Sequence, residues 1–130
     1  MAAYIHPDIF DDGLDAGLKG IADATNVDLH INYTQQPTTY AEATSTYTCG
    51  DKQDITITGP SAGDASGRKV TISAITDGDV TASQTAGWFS LVDTNTSRLL
   101  VAQALSGTQA VTNGNVFTLT AFDVEIPDPA

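Results

Sequence analysis

Phe10, Leu14, Leu18 and Ile21 recur at intervals of four, four and three, which sets them along one stripe of a helix predicted over residues 7–24. Asp8, Asp11, Asp12 and Asp15 fall early and Lys19 late, the order a helix macrodipole favours. Gly13, Gly17 and Gly20 work against it. Each costs about 1 kcal/mol relative to alanine in a helix interior, so the segment needs a surface to dock on. The period then drops to two. In "NVDLHINY", Val27, Leu29, Ile31 and Tyr33 alternate with Asp28, His30 and Asn32, which predicts a half-buried strand with a solvated polar face.

"QQPTTYAEATSTYTCG" follows, dense in hydroxyls. Pro37 breaks the strand, and Thr39 with Glu42 three residues later has the form of a capping box that opens one helical turn over residues 40–43. The β-branched run over residues 44–48 discourages continuation. The hydroxyls therefore read as caps and turn makers of a structural joint. Beyond it Ile55 and Ile57 alternate with threonines, "GPSAGDASG" reads as a loop, and Val70, Ile72 and Ala74 form an inward face. Asp77-Gly78 is a tight-hairpin signal. "WFSLVD" and "RLLVAQAL" are apolar on both faces, as covered strands are. Phe117, Leu119 and Ala121 share one parity while Phe122, Val124 and Ile126 carry the other, which predicts a β-bulge near Ala121 or a crossing between sheets. The whole predicts a mainly β protein: an antiparallel β-sandwich of about seven to eight strands with an N-terminal helix and one short helical turn. Residues 1–26 form an arm and helix, 27–126 the sandwich and 127–130 a tail, within one domain.

Composition narrows the function. Sixteen acidic against five basic residues leave a net charge of -11 over 130 residues, with no basic patch to meet phosphates, so no nucleic-acid partner is expected. The single cysteine, Cys49, cannot close an intrachain disulfide. The start "MAAYIHPDIFDDG" has no basic segment followed by an apolar run, and no stretch of eighteen apolar residues occurs, so neither export nor a membrane span is expected.

Candidate chemistry is sparse. "GPSAG" around Ser61 matches the G-x-S-x-G string, but that motif needs a helix after the serine and "DASG" follows here. His6 and His30 are the two imidazoles, and neither has a neighbour at ligand spacing. Asp11, Asp12 and Asp15, or Asp77 and Asp79, offer oxygens to calcium without the D-x-D-x-D-G loop. Cys49 reads as a structural thiol. Trp88 with Tyr33, Tyr40 and Tyr47 would be needed for a sugar platform, although Trp88-Phe89 at a strand start reads as core. These residues predict no enzyme, no cofactor and no resident metal.

Three stretches, "QPTTYAEATSTYTCG", "SGRKVTISAITDG" and "WFSLVDTNTSRLLVAQALSGTQAVTNGNVFTLTAFDVEIP", together with "YIHPDIFDDGLDAGL", resemble a family of small virion structural proteins of tailed bacteriophages. The resemblance covers most of the chain and carries no active-site residues. It implies a non-enzymatic decoration or cement protein on the outer capsid surface, made in the host cytoplasm, whose partner is the major capsid protein and which is itself either a trimer or a monomer. A neck, tail or fibre-associated component is the alternative, and a carbohydrate-binding module a further one. Tyr4, Ile5, Ile9 and Phe10 are the expected interface, because the glycine-interrupted N-terminal segment is the apolar element least able to stand alone.

Overall fold

The computed structural model describes residues 4–5, 13–63 and 67–126. Among the described residues ten strands occur in chain order: β1 (Tyr4–Ile5), β2 (Val27–Asn32), β3 (Thr48–Lys52), β4 (Ile57–Ala62), β5 (Arg68–Ile72), β6 (Ile75–Val80), β7 (Gln84–Asp93), β8 (Arg98–Val111), β9 (Val116–Leu119) and β10 (Phe122–Ile126). Seven form one antiparallel sheet in the order β1-β8-β7-β2-β3-β6-β9, and β10-β5-β4 form the second. The two layers enclose one core, in which Leu29 and Leu91 of the large sheet share a cluster with Ile57, Val70, Ile72 and Val124 of the small one. The rings of Phe89 and Phe122 meet across the layers with centroids 4.5 Å apart. The expected sandwich is the observed architecture. Two strands were not foreseen as separate elements: β1, too short to display a period, and β10, split from β9.

That split resolves the change of parity near Ala121. β9 pairs with β6 in the large sheet and β10 pairs with β5 in the small one, so the chain crosses between layers there. Phe117 and Val124 thereby enter the same core from opposite sheets.

The helix α1 is a wide turn over Asp15–Lys19 that runs on as Gly20–Asp23. Leu18 and Ala22 are its buried apolar side chains, with Leu14 buried just before it and Ile21 half-buried beside them. In the wide turn a spacing of four keeps to one face, so Ala22 takes the place expected for Ile21. The segment lies against β4, which supplies the surface its glycines demand. The second helix, α2 (Glu42–Thr46), continues through the threonines expected to end it. Thr44 Oγ1 donates to the Tyr40 carbonyl at 2.8 Å, so the hydroxyl is satisfied inside the turn. The cap forms nearly as expected: Thr39 Oγ1 accepts from the Glu42 N–H at 3.1 Å, while Glu42 reaches back to the N–H of Thr38, 2.9 Å away, one residue earlier than in a capping box.

Asp77-Gly78 does not make the expected hairpin turn. Both lie inside β6, where the pairing with β9 shifts register between Ile75 and Gly78. The glycine serves a different need: the Phe117 ring lies against its Cα, and a methyl group there would overlap the ring. Nor is the start of the expected "GPSAGDASG" loop irregular, for β4 runs on to Ala62, and Ala74, expected inward, is exposed. Gly59 (φ +112°) and Pro60 sit where the β4–β5 pairing slips between Thr58 and Ser61, and an edge strand tolerates proline at such a bulge. A second bulge puts Leu100 of β8 out of register, between pairs Leu91–Val101 and Val92–Leu99. Both Leu100 and Val101 consequently enter the main core, while Leu99 and Ala102 face the opposite side.

Gly78→Ala is expected to destabilise the fold by about 1–3 kcal/mol, the range for overpacking a closed site. Denaturant unfolding with an unchanged m-value would register it as a lower midpoint.

Candidate functional site

The large sheet buries part of its second face as well. Beyond it lies a small cluster of Ala43, Val92, Leu99 and Ala102, with Tyr4 and Tyr40 packed against its rim. The segment 33–47, the hydroxyl-rich stretch of the sequence, is its cover. Gln36 and Pro37 are buried, and Ala43 is wholly buried. Asn32 holds the cover to the sheet. Its Nδ2 donates to the Ala43 carbonyl at 2.9 Å and to the Tyr47 carbonyl at 3.4 Å. Its Oδ1 accepts from Ser90 Oγ at 2.8 Å, across the β2–β7 pair. Asn32 and Ser90 are both 0% exposed, so the face expected to be solvated is covered at this end.

Of the four expected interface residues, Tyr4 and Ile5 lie in β1, which pairs with β8 through Tyr4–Ala102 and Ile5–Val101. Tyr4 is half-buried at the edge of the second cluster, so part of its apolar surface is already used within the chain. Ile9 and Phe10 lie outside the described residues, as do His6, Asp11 and Asp12.

The remaining candidates stand apart from one another. Ser61 is exposed on β4, opposite Lys69, in a strand and not on a strand-to-helix elbow. His30 is half-buried on β2, not at a free surface, and its Nδ1 lies 2.8 Å from Thr48 Oγ1 on β3. Burial lowers its pKa below the ordinary 6.5, with Asp51 and Asp28 pulling the other way. Asp28 is itself raised by burial, although it accepts from the Asp54 N–H. Cys49 is buried on β3, and burial pushes its thiol up to about 11, the state of an inert structural cysteine. Asp77 and Asp79 join Asp51, Lys52 and Gln53 around an open groove, where Lys52 Nζ meets Asp77 at 3.1 Å. Among the described residues no three His, Cys, Asp or Glu side chains gather as a metal site.

The four aromatic candidates divide between places. Tyr33 packs against the main core and meets Tyr47 edge-on at 6.3 Å, Tyr40 belongs to the second cluster, and Trp88 stands half-buried between Asn32 and Ala104 in the ladder. They make no single flat platform.

Sequence reasoning missed Asn32, Ser90 and Asp93 as structural polar residues. Asp93 is 2% exposed and closes the β7–β8 turn, accepting from the N–H groups of Asn95 and Thr96, from Thr96 Oγ1 at 2.7 Å and from Arg98 Nη2 at 2.9 Å. Burial alone would raise its pKa, but these donors outweigh that and hold it below the ordinary value. The one available signal was "DTNTSR": an aspartate followed by turn residues and an arginine five positions on.

Two measurements probe this arrangement. Asn32→Leu, which leaves the Ala43 carbonyl without its amide partner, is expected to cost about 1–3 kcal/mol. Hydrogen exchange should speed up most at the amides of residues 40–47, while those of β2 and β7 retain protection. For His30 the folded pKa is depressed, so the unfolded chain binds more protons between that value and 6.5. Stability should therefore fall as pH drops below 6.5, and His30→Gln should remove that part of the slope in unfolding curves measured across the window.

Compared with protein-family models, curated proteins and solved structures, the chain matches none.

Proposed function

We propose that this chain is a non-enzymatic structural protein of a tailed-phage virion, a decoration or cement protein that binds the outer shell. The observation that carries the reading is the use made of the buried polar groups. Asn32, Ser90 and Asp93 spend their hydrogen bonds holding chain segments to the sheet. The candidate nucleophiles and base stand on separate strands: Cys49 is buried with a raised pKa, Ser61 lies on an edge strand of the small sheet, and His30 faces Thr48 in the large one. Catalysis needs such groups within hydrogen-bond reach of one another and of a substrate.

A two-layer body whose large sheet is also covered in part on its second face is a stiff unit. Strong negative charge keeps many copies dispersed before assembly. The pairing of Tyr4–Ile5 along β8 shows how an extended arm adds to this sheet edge, the mode by which strands recognise neighbours. Contact with two or more shell subunits at once would raise effective concentration and stiffen the shell even where each contact is weak. The resemblance of the quoted stretches to phage virion proteins agrees with this use.

Particles made without the chain should assemble, then release DNA at lower temperature or lower salt than complete particles, and purified chain should restore resistance. Intact, stable heads lacking tails would instead place it in the neck or tail. Counting copies per particle separates the same two cases, with hundreds expected for decoration.

A further inference from the structure

We propose that Asn113–Gly114, in the turn that joins β8 to β9, is a self-modification site: it loses ammonia through a cyclic imide and becomes aspartate or isoaspartate, at a rate the fold sets by holding the Gly114 amide against β6. The chain has a single asparagine followed by glycine, at these positions. That order of residues favours the reaction, because glycine has no side chain to hinder attack by its own amide nitrogen. The electrophile is open. Asn113 and Gly114 are exposed, and the space where a Gly114 Cβ would stand is empty. Among the described residues the Asn113 side-chain amide makes no hydrogen bond, so it can turn toward the backbone and water can reach it.

The nucleophile is the restrained half. Gly114 N–H donates to the Val80 carbonyl at 3.1 Å, which ties the nitrogen to the end of β6. Three further bonds fix the turn around it. Asn115 N–H donates to the Thr112 carbonyl at 3.0 Å, Val80 N–H to the Asn115 carbonyl at 3.0 Å, and Asn113 N–H to Ser83 Oγ at 2.9 Å. Gly114, at φ +90°, is the second central residue of the turn that the first of these closes, a place a type II turn keeps for glycine. An amide nitrogen attacks only after giving up its hydrogen, and this hydrogen is engaged with Val80. The reaction therefore waits on a lifting of the turn from β6, a local opening and not global unfolding.

Water is the only co-reactant. The Gly114 nitrogen loses its proton to solvent base and bonds to Asn113 Cγ, the Cγ–Nδ2 bond breaks, and the side-chain nitrogen takes up a proton and leaves as ammonia. Water then adds to one of the two imide carbonyls. Breaking the bond from Cγ to the Gly114 nitrogen leaves aspartate on an unchanged main chain. Breaking the bond from the main-chain carbonyl carbon leaves isoaspartate, whose main chain runs through Cβ and Cγ and is longer by a carbon. Either product adds a carboxylate to a net charge that is already -11. Aspartate can keep the turn, whereas the longer main chain of isoaspartate puts the bonds to Val80 out of register, next to the Asp79–Val116 pair that joins β6 to β9.

The inference concerns the isolated protein and does not depend on the virion reading. Purified full chain, held in mildly alkaline buffer with and without guanidinium chloride, is followed by mass spectrometry and peptide mapping. The mass gain of amide to acid is expected at Asn113, at least about tenfold slower in the folded chain than in the unfolded one. Ser83→Ala, at an exposed position, removes one restraint on the turn and should speed the folded reaction about two- to tenfold, with the rate in guanidinium unchanged. Asn113→Gln should abolish the gain. Of the separated products, the aspartate form should melt with the parent, as should Asn113→Asp, and the isoaspartate form should melt lower. Equal rates in folded and unfolded chain overturn the proposal, as does a folded rate that Ser83→Ala leaves unmoved. A gain that persists in Asn113→Gln, or none at Asn113 in the unfolded chain, overturns it too.

Discussion

The side-chain amide of Asn32 ties the large sheet to the segment that covers part of its outer face. A sheet covered on one face needs only an apolar stripe against its partner sheet, but the large sheet here is covered in part on its second face too. Its second cover is a loop and one wide helical turn, whose backbone carbonyls must find donors once water is excluded. Asn32 supplies them from the centre of the sheet and is itself satisfied by Ser90. The apolar cluster behind the sheet is small, so much of what fixes the cover's position is polar. A buried network of this kind specifies one arrangement, because any slip of the cover leaves an amide and a carbonyl unpaired in a dry site.

The same economy shapes the sheet's ends. At the β7–β8 turn, Asp93 gathers four donors, one of them the Arg98 guanidinium, and so holds a charged group where water is scarce. At the other end of that hairpin no charge is present, and the strands part around an open gap. One end of the hairpin is pinned by a buried charge, while towards the other the strands are neutral and part opposite Gly87 before pairing resumes at Ala86–Gln109.

Much of the architecture was legible from period alone. Alternation at Val27, Leu29 and Ile31 placed β2, the four-residue spacing of Leu14 and Leu18 placed α1, and the parity change after Leu119 marked the passage between sheets. The Thr39–Glu42 cap was readable because its chemistry is local. Reading failed where a residue's purpose lay across the fold. Gly78 carries a turn signature with aspartate before it, yet its lack of a side chain admits Phe117 from a strand nearly forty positions later. Asn32 and His30 fell on the polar parity of β2 and were expected to meet water. Whether that parity faces solvent depends on what lies above it.

Sequence by itself determined the β character, the strand periods and the acidity, because each is a property of residues in order or of short-range geometry. Only the tertiary structure decided that the hydroxyl-rich segment is a lid over part of the second face and that Asn32 is its buried anchor. Those outcomes depend on which strands become neighbours, and strand pairing brings together residues tens of positions apart whose contacts leave no local periodic trace.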